Sequence, residues 1–451
     1  MGRNARSWAA IATGLAVIGV GWPTASGSAG PAPATASADP LPRAADCYTS
    51  EDVPLTVEEQ RLADPLPGAD TDPASVRFIE AAGLDPLVAS FERRLCRVDD
   101  VDRASELVRA SGARLWRTAV RRAQGDLELG EIDRYDDRPL YWARTTMSAA
   151  LRQWDPGFEL TGTQRLALVR ILSYESRGIE QVRYPQGDRV TRVLISGFDT
   201  YSLDDSLRNS NPSGATALQL DGRTFRTPEG PVAVESVVFP VNWTDFDQGI
   251  VEDAFGPRLA GKARARVDMI MTISQTSRGR MDIEQWAGGF RGGFPDNNRS
   301  QNYGPISAAA QWPQPQPSPQ WIETTLPYRA MLRADTGPWP VVLHDGICEW
   351  PQGTYPDPGA IRCKADPSPR STAASAPGGS YLSNESMYRT NRLRLGAGLD
   401  TLPGGHLHIS ALIYPKDENL LTSKRFERDR QAVVDQTTAL LRAAGQAVVR
   451  D

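Results

Sequence analysis

Apolar residues recur at three- and four-residue spacing through the first third of the chain. The stretches Ala104 to Gln124, Tyr141 to Trp154 and Thr161 to Gly178 carry this pattern, and each predicts an amphipathic helix. Thr161 or Thr163 is placed to cap the third. After Asp188 the period changes. TRVLISGF (191–198), VAVESVVFPV (232–241) and VDMIMTIS (267–274) read as strands. NPSGATALQL (211–220) and FDQGIVEDAFGPRLAGK (246–262) between them read as helices. Gln275 to Pro319 is rich in Gly, Asn, Gln and Pro and predicts loops rather than long elements. WPVVLH (339–344) predicts a strand, and a Pro/Ser/Ala/Gly-rich stretch runs from Cys348 to Gly379. A helix from about Ser383 to Leu395, a strand LHISALIY (407–414) and a last helix from about Ser423 to Ala444 complete the chain. Strands alternating with helices predict a three-layer α/β/α domain on a mostly parallel mixed sheet. The expected organisation is a helical N-terminal region at 39–187, then the α/β domain at 188–451 with a loop insertion at 349–375.

The first 38 residues read as an address rather than structure. Arg3 and Arg6 precede an apolar run from Trp8 to Trp22, and small residues end at Ala36-Ser37-Ala38. A secretory signal cleaved after Ala38 is expected, with an earlier site near Ala25 to Gly27 as the alternative. No later stretch approaches the length of a membrane span, so no membrane association is expected after cleavage. Export puts the four cysteines in an oxidising compartment. Sequence proximity favours Cys47 with Cys96 and Cys348 with Cys363, among three possible pairings.

Charge and histidine content narrow the chemistry. Lys+Arg total 50 against 55 Asp+Glu, a formal net charge of −5, which gives no basic footprint for nucleic acid. Only three histidines exist, His344, His406 and His408, and no zinc-like spacing accompanies them, so no metal and no cofactor is expected. His406 and His408 lie two apart on a strand and point to one face, where one could serve as a base. His344 ends a strand but has no visible partner. The GxSxG, HExxH, GxxxxGK[ST] and GxGxxG patterns are absent, which removes the commonest hydrolase, peptidase and nucleotide readings.

Several short segments, in order, resemble the pyrrolidone-carboxylate peptidases, which remove an N-terminal pyroglutamate. VLISGFDTYSLDDSLRNSNPS (193–213) resembles the family's strand, GFxPF loop and Asn-Pro helix start. SQTSRGRMDIEQWA (274–287) is similar to its GQAGGR stretch leading to the catalytic glutamate. FPDNN (294–298) resembles IPDN, and TLPYRAM (325–331) resembles TLPIKAM. GGSYLSNESMY (378–388) resembles AGTFVCNHVMY, and GGHLHISALIYP (404–415) is similar to the segment with the catalytic histidine. The resemblance covers about 190–445.

What it implies is a hydrolase that cleaves the N-terminal pyroglutamyl amide bond of a peptide or small amide, here in a chain expected to be secreted, with Ser383 where the family has its nucleophilic cysteine, His408 as base and Glu284 as the group orienting it. It carries the family's aromatic pocket onto Phe198 and Tyr201, its pocket isoleucine onto Phe294 and its pocket glutamine onto Gln275. Two parts depart from the family. A serine hydroxyl is far less acidic than a thiol and must lose its proton during attack. The family's oxyanion arginine falls on Gly293, which leaves Arg291 or Arg280 as candidate substitutes. The alternative is a binding protein that keeps the pocket without turnover.

Overall fold

Aliphatic and β-branched residues with both faces buried form the centre of one seven-stranded sheet. The computed structural model describes residues 47–68, 72–187, 190–262, 265–334 and 336–448; the expected signal segment lies outside them. The strands are β1 (Thr191–Phe198), β2 (Arg223–Thr227), β3 (Gly230–Phe239), β4 (Met269–Gln275), β5 (Met281–Glu284), β6 (Val341–His344) and β7 (Gly404–Ile409). Their order is β6-β5-β7-β4-β1-β3-β2. Strands β7, β4, β1 and β3 run parallel, while β2 is antiparallel to β3. The pair β5–β6 is parallel within itself and antiparallel to β7.

Side-chain alternation sorts the two faces. Val193, Ile195, Met271, Met281, Ile283, Leu407 and Ile409 pack against Phe426, Val433, Leu440 and Leu441 of the helix Lys424–Gln446. On the other face Leu194, Val237, Phe239 and Ile270 meet Phe255 and Leu259 of Ile250–Leu259 and Leu382 and Leu393 of Leu382–Gly396. The mostly parallel α/β sheet with helices on both faces is as the sequence predicts.

Three local expectations need correction. Gln275–Pro319 is not loop throughout: it holds β5, the short strand Trp286–Gly288 and the hairpin Phe290–Pro295/Gln301–Pro305. Strand β5 lacks the apolar signature of a buried strand because its residues, Met-Asp-Ile-Glu, put two carboxylates into fully buried positions. The helix expected over 246–262 divides into Trp243–Asp247 and Ile250–Leu259, because Gly249 adopts φ 85° between them. The Pro-rich stretch after Cys348 contains a small antiparallel sheet of Ile347–Trp350, Arg362–Lys364 and Thr372–Ser375. Cys348 and Cys363 face each other across it and form one disulfide; Cys47–Cys96 is the other.

The N-terminal part folds as the helices Ala74–Ala81, Asp85–Leu95, Val101–Ala123, Arg138–Gln153 and Gly162–Ser176. Thr161 caps the last in a reciprocal box with Gln164. Their core, built on Trp116, Trp142, Trp154, Phe78 and Phe91, also takes in Leu203, Ala217, Leu218 and Val238 of the α/β part. Polar anchors follow the same route into the loop after β1. Asp199 receives Arg144 and Arg177, and Asp137 accepts hydrogen bonds from Ser210 Oγ and the Asn211 amide.

Close packing of β1 on the helix Pro212–Leu220 depends on Gly197. A Cβ there would lie 2.2 Å from the Ser213 carbonyl oxygen, which is backbone and cannot yield cheaply. Gly197→Ala is expected to destabilise the fold by about 1–3 kcal/mol or more, read as a lowered urea midpoint.

Candidate active site

Register across the sheet assembles a polar row from residues far apart in sequence. Ser196 of β1 pairs with Thr272 of β4, Thr272 with His406 of β7, His406 with Glu284 of β5, and Glu284 with His344 of β6. The next row holds Ser274, His408 and Asp282. Because directly opposed residues share a face, all these side chains meet on the side covered by the helix Leu382–Gly396.

The two β7 histidines have different surroundings. His406 is fully buried with both ring nitrogens engaged, Nδ1 with Thr272 Oγ1 at 2.7 Å and Nε2 with Ser274 Oγ at 2.8 Å. Burial, and then the neighbouring His408, hold its pKa well below the ordinary value, so the ring is neutral. His408 lies edge-on to it, ring centroids 4.5 Å apart. Its Nδ1 is 2.6 Å from Glu284 Oε1, a diagonal contact across the β5–β7 ladder. Its Nε2 has no hydrogen-bond partner among the described residues.

Glu284 is 2% exposed, and its carboxylate also bonds His344, with Nδ1 at 3.0 Å from Oε2. Burial pushes the carboxyl up, but His408 and His344 together outweigh it and hold the group below the usual glutamate value. The expectation that His344 lacks a partner is therefore corrected. Strand β6 runs alongside β5 and sets the two residues in register, a pairing that neither local sequence announces.

Ser383 is the second residue of Leu382–Gly396 and is half-buried. Tyr381 supplies no side-chain cap, so the first amides of this helix remain as donors at its positive end. Asn384 pins the helix start through hydrogen bonds with both the amide and the carbonyl of Gly288. Just before it, Gly378 lies on the histidine–carboxylate pair: a Cβ there would fall 2.9 Å from His408 Cε1 and 3.2 Å from Glu284 Cδ. The Ser383 carbonyl accepts from Ser386 Oγ, while Ser383 Oγ has no hydrogen-bond partner among the described residues.

Phe198, Tyr201, Ser274, Gln275, Tyr381 and Ser383 line a cleft of about 50 Å³. One water takes roughly 10–15 Å³ on such a scale, so the cleft has room for a small flat group. Gln275 Nε2 donates to Tyr201 Oη at 2.5 Å, leaving its buried Oε1 without a partner among the described residues. Phe198 serves the cleft and the core together, stacking on Phe246 with ring centroids 6.2 Å apart. Phe294 is not among the lining residues; 54% exposed, it leans edge-on against Tyr381. A larger cavity of about 720 Å³ lies between the N-terminal helices and Asn242–Gln248. Of its charged lining groups, Arg152 pairs with Glu59, while Arg144 and Arg177 pair with Asp199 and Arg170 with Asp253, carboxylates that do not line it.

Neither arginine singled out by sequence is a free oxyanion donor. Arg291 is held by both oxygens of Glu385, each at 2.6 Å, and by Asp247 at 2.8 Å. Arg280 lies on the far side of Glu284, with Nε 2.8 Å from Asp282 Oδ2 and Nη2 3.4 Å from His344 Nε2. Asp282, Glu284 and His344 bring ligand-type atoms within 4.8 Å of one another. That donor set suits a cation poorly: Glu284 is already shared by two imidazoles, and a guanidinium sits at Asp282.

Comparisons add family information. The model described as the PA0049 N-terminal domain matches residues 36–173, and that described as the PA0049 C-terminal domain matches 192–308 and 348–413. The uncharacterized protein PA0049 of Pseudomonas aeruginosa is 33% identical over 91% of this chain and 92% of its own. Among solved structures, a mutant pyrrolidone carboxyl peptidase from Pyrococcus furiosus is 17% identical with a TM-score of 0.38, covering 57% of this chain and 100% of that one. A second mutant of that enzyme gives 16%, 0.37, 56% and 98%.

Removing Arg291 leaves Glu385, which is fully buried, with Arg389 as its remaining guanidinium partner. Arg291→Ala is expected to cost about 3–5 kcal/mol of folding stability, measured by denaturant unfolding. An oxyanion role would instead lower turnover in a protein of unchanged stability.

Proposed function

From the premise that this chain belongs to the PA0049 family, shown by 33% identity over nearly the full length of both proteins, we propose that it is an exported hydrolase of pyroglutamyl-peptidase type. The observation that carries the reading is the buried 2.6 Å contact between Glu284 and His408 Nδ1 beside the loop that leads into Ser383. Ser383 Oγ attacks the acyl carbon of an N-terminal pyroglutamyl amide. His408 Nε2 takes the serine proton and returns it to the leaving amine, then draws a proton from the water that hydrolyses the acyl-serine and returns it to Ser383 Oγ, while Glu284 fixes the tautomer and balances the imidazolium. Amides at the start of Leu382–Gly396 supply donors for the oxyanion in place of an arginine. The flat lactam suits the cleft between Phe198 and Tyr201, and the unpartnered Gln275 Oε1 accepts its ring N–H. Two disulfides and the N-terminal apolar segment support export.

The lone Ser383 hydroxyl, unbonded to His408, favours a second reading: a protein that binds pyroglutamyl peptides without cleaving them. Free enzymes do show loose catalytic hydrogen bonds that tighten with substrate, so the two readings divide on turnover. With a pyroglutamyl chromogenic amide, Ser383→Ala is expected to lower kcat by at least about a thousandfold. Equal turnover in that variant would eliminate Ser383 as nucleophile. Calorimetric binding without product, with turnover arising only in Ser383→Cys, would establish the second reading.

A further inference from the structure

The carboxylate proposed to orient the base serves a second histidine that the proposed chemistry does not use. His344 Nδ1 is 3.0 Å from Glu284 Oε2 and 3.3 Å from Oε1, while His408 Nδ1 is 2.6 Å from Oε1. Both rings donate through Nδ1 to one ionised carboxylate, so each neutral ring keeps its second nitrogen able to take a proton. His344 is 27% exposed at its side chain and His408 6%, so the outer ring exchanges protons with solvent while the inner one is shielded.

We propose that His344 is a positioning residue and a pH-dependent brake: its protonation draws the Glu284 charge away from His408 and lowers the activity of the site in acid. The inference rests on the reading given above and assigns a regulation to the same site. When His408 accepts the nucleophile's proton, Glu284 must balance a new imidazolium. If His344 is already an imidazolium on the same carboxylate, that balance is partly spent, and the proton transfer becomes less favourable.

The groups facing His344 support a proton-accepting ring. On β5, Glu284 bonds it and Asp282 Oδ2 lies 3.9 Å from Nδ1. Arg280, ahead of β5, approaches Nε2 at 3.4 Å and opposes protonation. The helix Tyr328–Arg333 packs against β6 through Tyr328 and Met331, in the cluster that holds Val341 and Leu343, on the face away from His344; its Arg329 and Arg333 form no ion pair with the ring among the described residues. The hydrogen bond to Glu284 first, and the nearby carboxylates after it, raise the His344 pKa above the ordinary histidine value despite partial burial. The ring therefore carries charge below that raised value and loses it as pH rises through it, so the brake is on in acid and released toward alkaline pH.

The deciding measurement is an NMR titration of the imidazole nitrogens in the full protein and in His344→Asn, whose side-chain N–H still reaches for Glu284. In the parent, the His408 ring signals are expected to move in the transition in which His344 titrates, and that component is expected to vanish in the variant. Absence of any His408 response to the His344 transition would overturn the proposal, whether or not the protein turns over substrate. The pH profile of kcat/KM supplies the activity readout. The parent is expected to lose activity in acid more steeply than His344→Asn, whose plateau stays within about threefold of the parent. His344→Ala, lacking the N–H donor, is expected to fall below that plateau at every pH, with His344→Asn as the rescue. Identical acid limbs in parent and Asn variant would also overturn the brake. Coupled titration in a protein with no turnover would reject the reaction and leave the coupling standing.

Discussion

A carboxylate that is 2% exposed on the face of a sheet stays ionised only if cations or strong donors surround it, and Glu284 is the point on which this structure turns. The fold satisfies it with two imidazoles from strands on either side, one diagonal and one in direct register. A donor on each side fixes the rotamer of all three side chains. Glu284 thereby sets the tautomer of His408, whose Nε2 has no partner among the described residues, whereas His406, one row over, has both nitrogens consumed by hydroxyls of β4. The same sheet face thus holds one histidine with both ring nitrogens engaged by hydroxyls and one held by a carboxylate through Nδ1 alone.

The N-terminal helices belong to this arrangement. The loop that follows β1 carries Tyr201 into the cleft, and several of its polar anchors come from the helical part: Arg144 and Arg177 on Asp199, Asp137 on Ser210 and Asn211. Asn297 joins the Thr200 carbonyl to Glu58, which Tyr141 also bonds. Asp199 is buried between its two guanidiniums, so losing one leaves its charge only partly compensated. The helices act here as the back wall of the loop, through a core that runs without interruption into the sheet.

Much of the fold was legible along the chain. Buried strands of β-branched and aliphatic residues, TRVLISGF and VDMIMTIS, declared themselves through composition and length, and the long helices through their period. The chemistry was legible only in part. Ser383, His408 and Glu284 were picked out by short motif resemblances. The aromatic Phe294 fell with them but stands outside the cleft, because its side chain turns outward against Tyr381. Arg291 and Arg280 were candidates because a sequence shows that a cation exists and not what holds it; here Glu385 and Asp282 do.

The sequence by itself determined the strands β1, β3 and β4 and the longer helices, because that choice rests on periodicity and side-chain shape within a dozen residues. It also pointed to the cysteine partners, the distant Cys47 and Cys96 included. Only the tertiary structure decided that Met-Asp-Ile-Glu is a strand, that β5 and β6 run against the four central parallel strands, and that His344 joins the carboxylate of Glu284. The reason is physical: register between strands separated by 60 and 124 residues is set by the summed burial of both sheet faces, and no local window contains that sum.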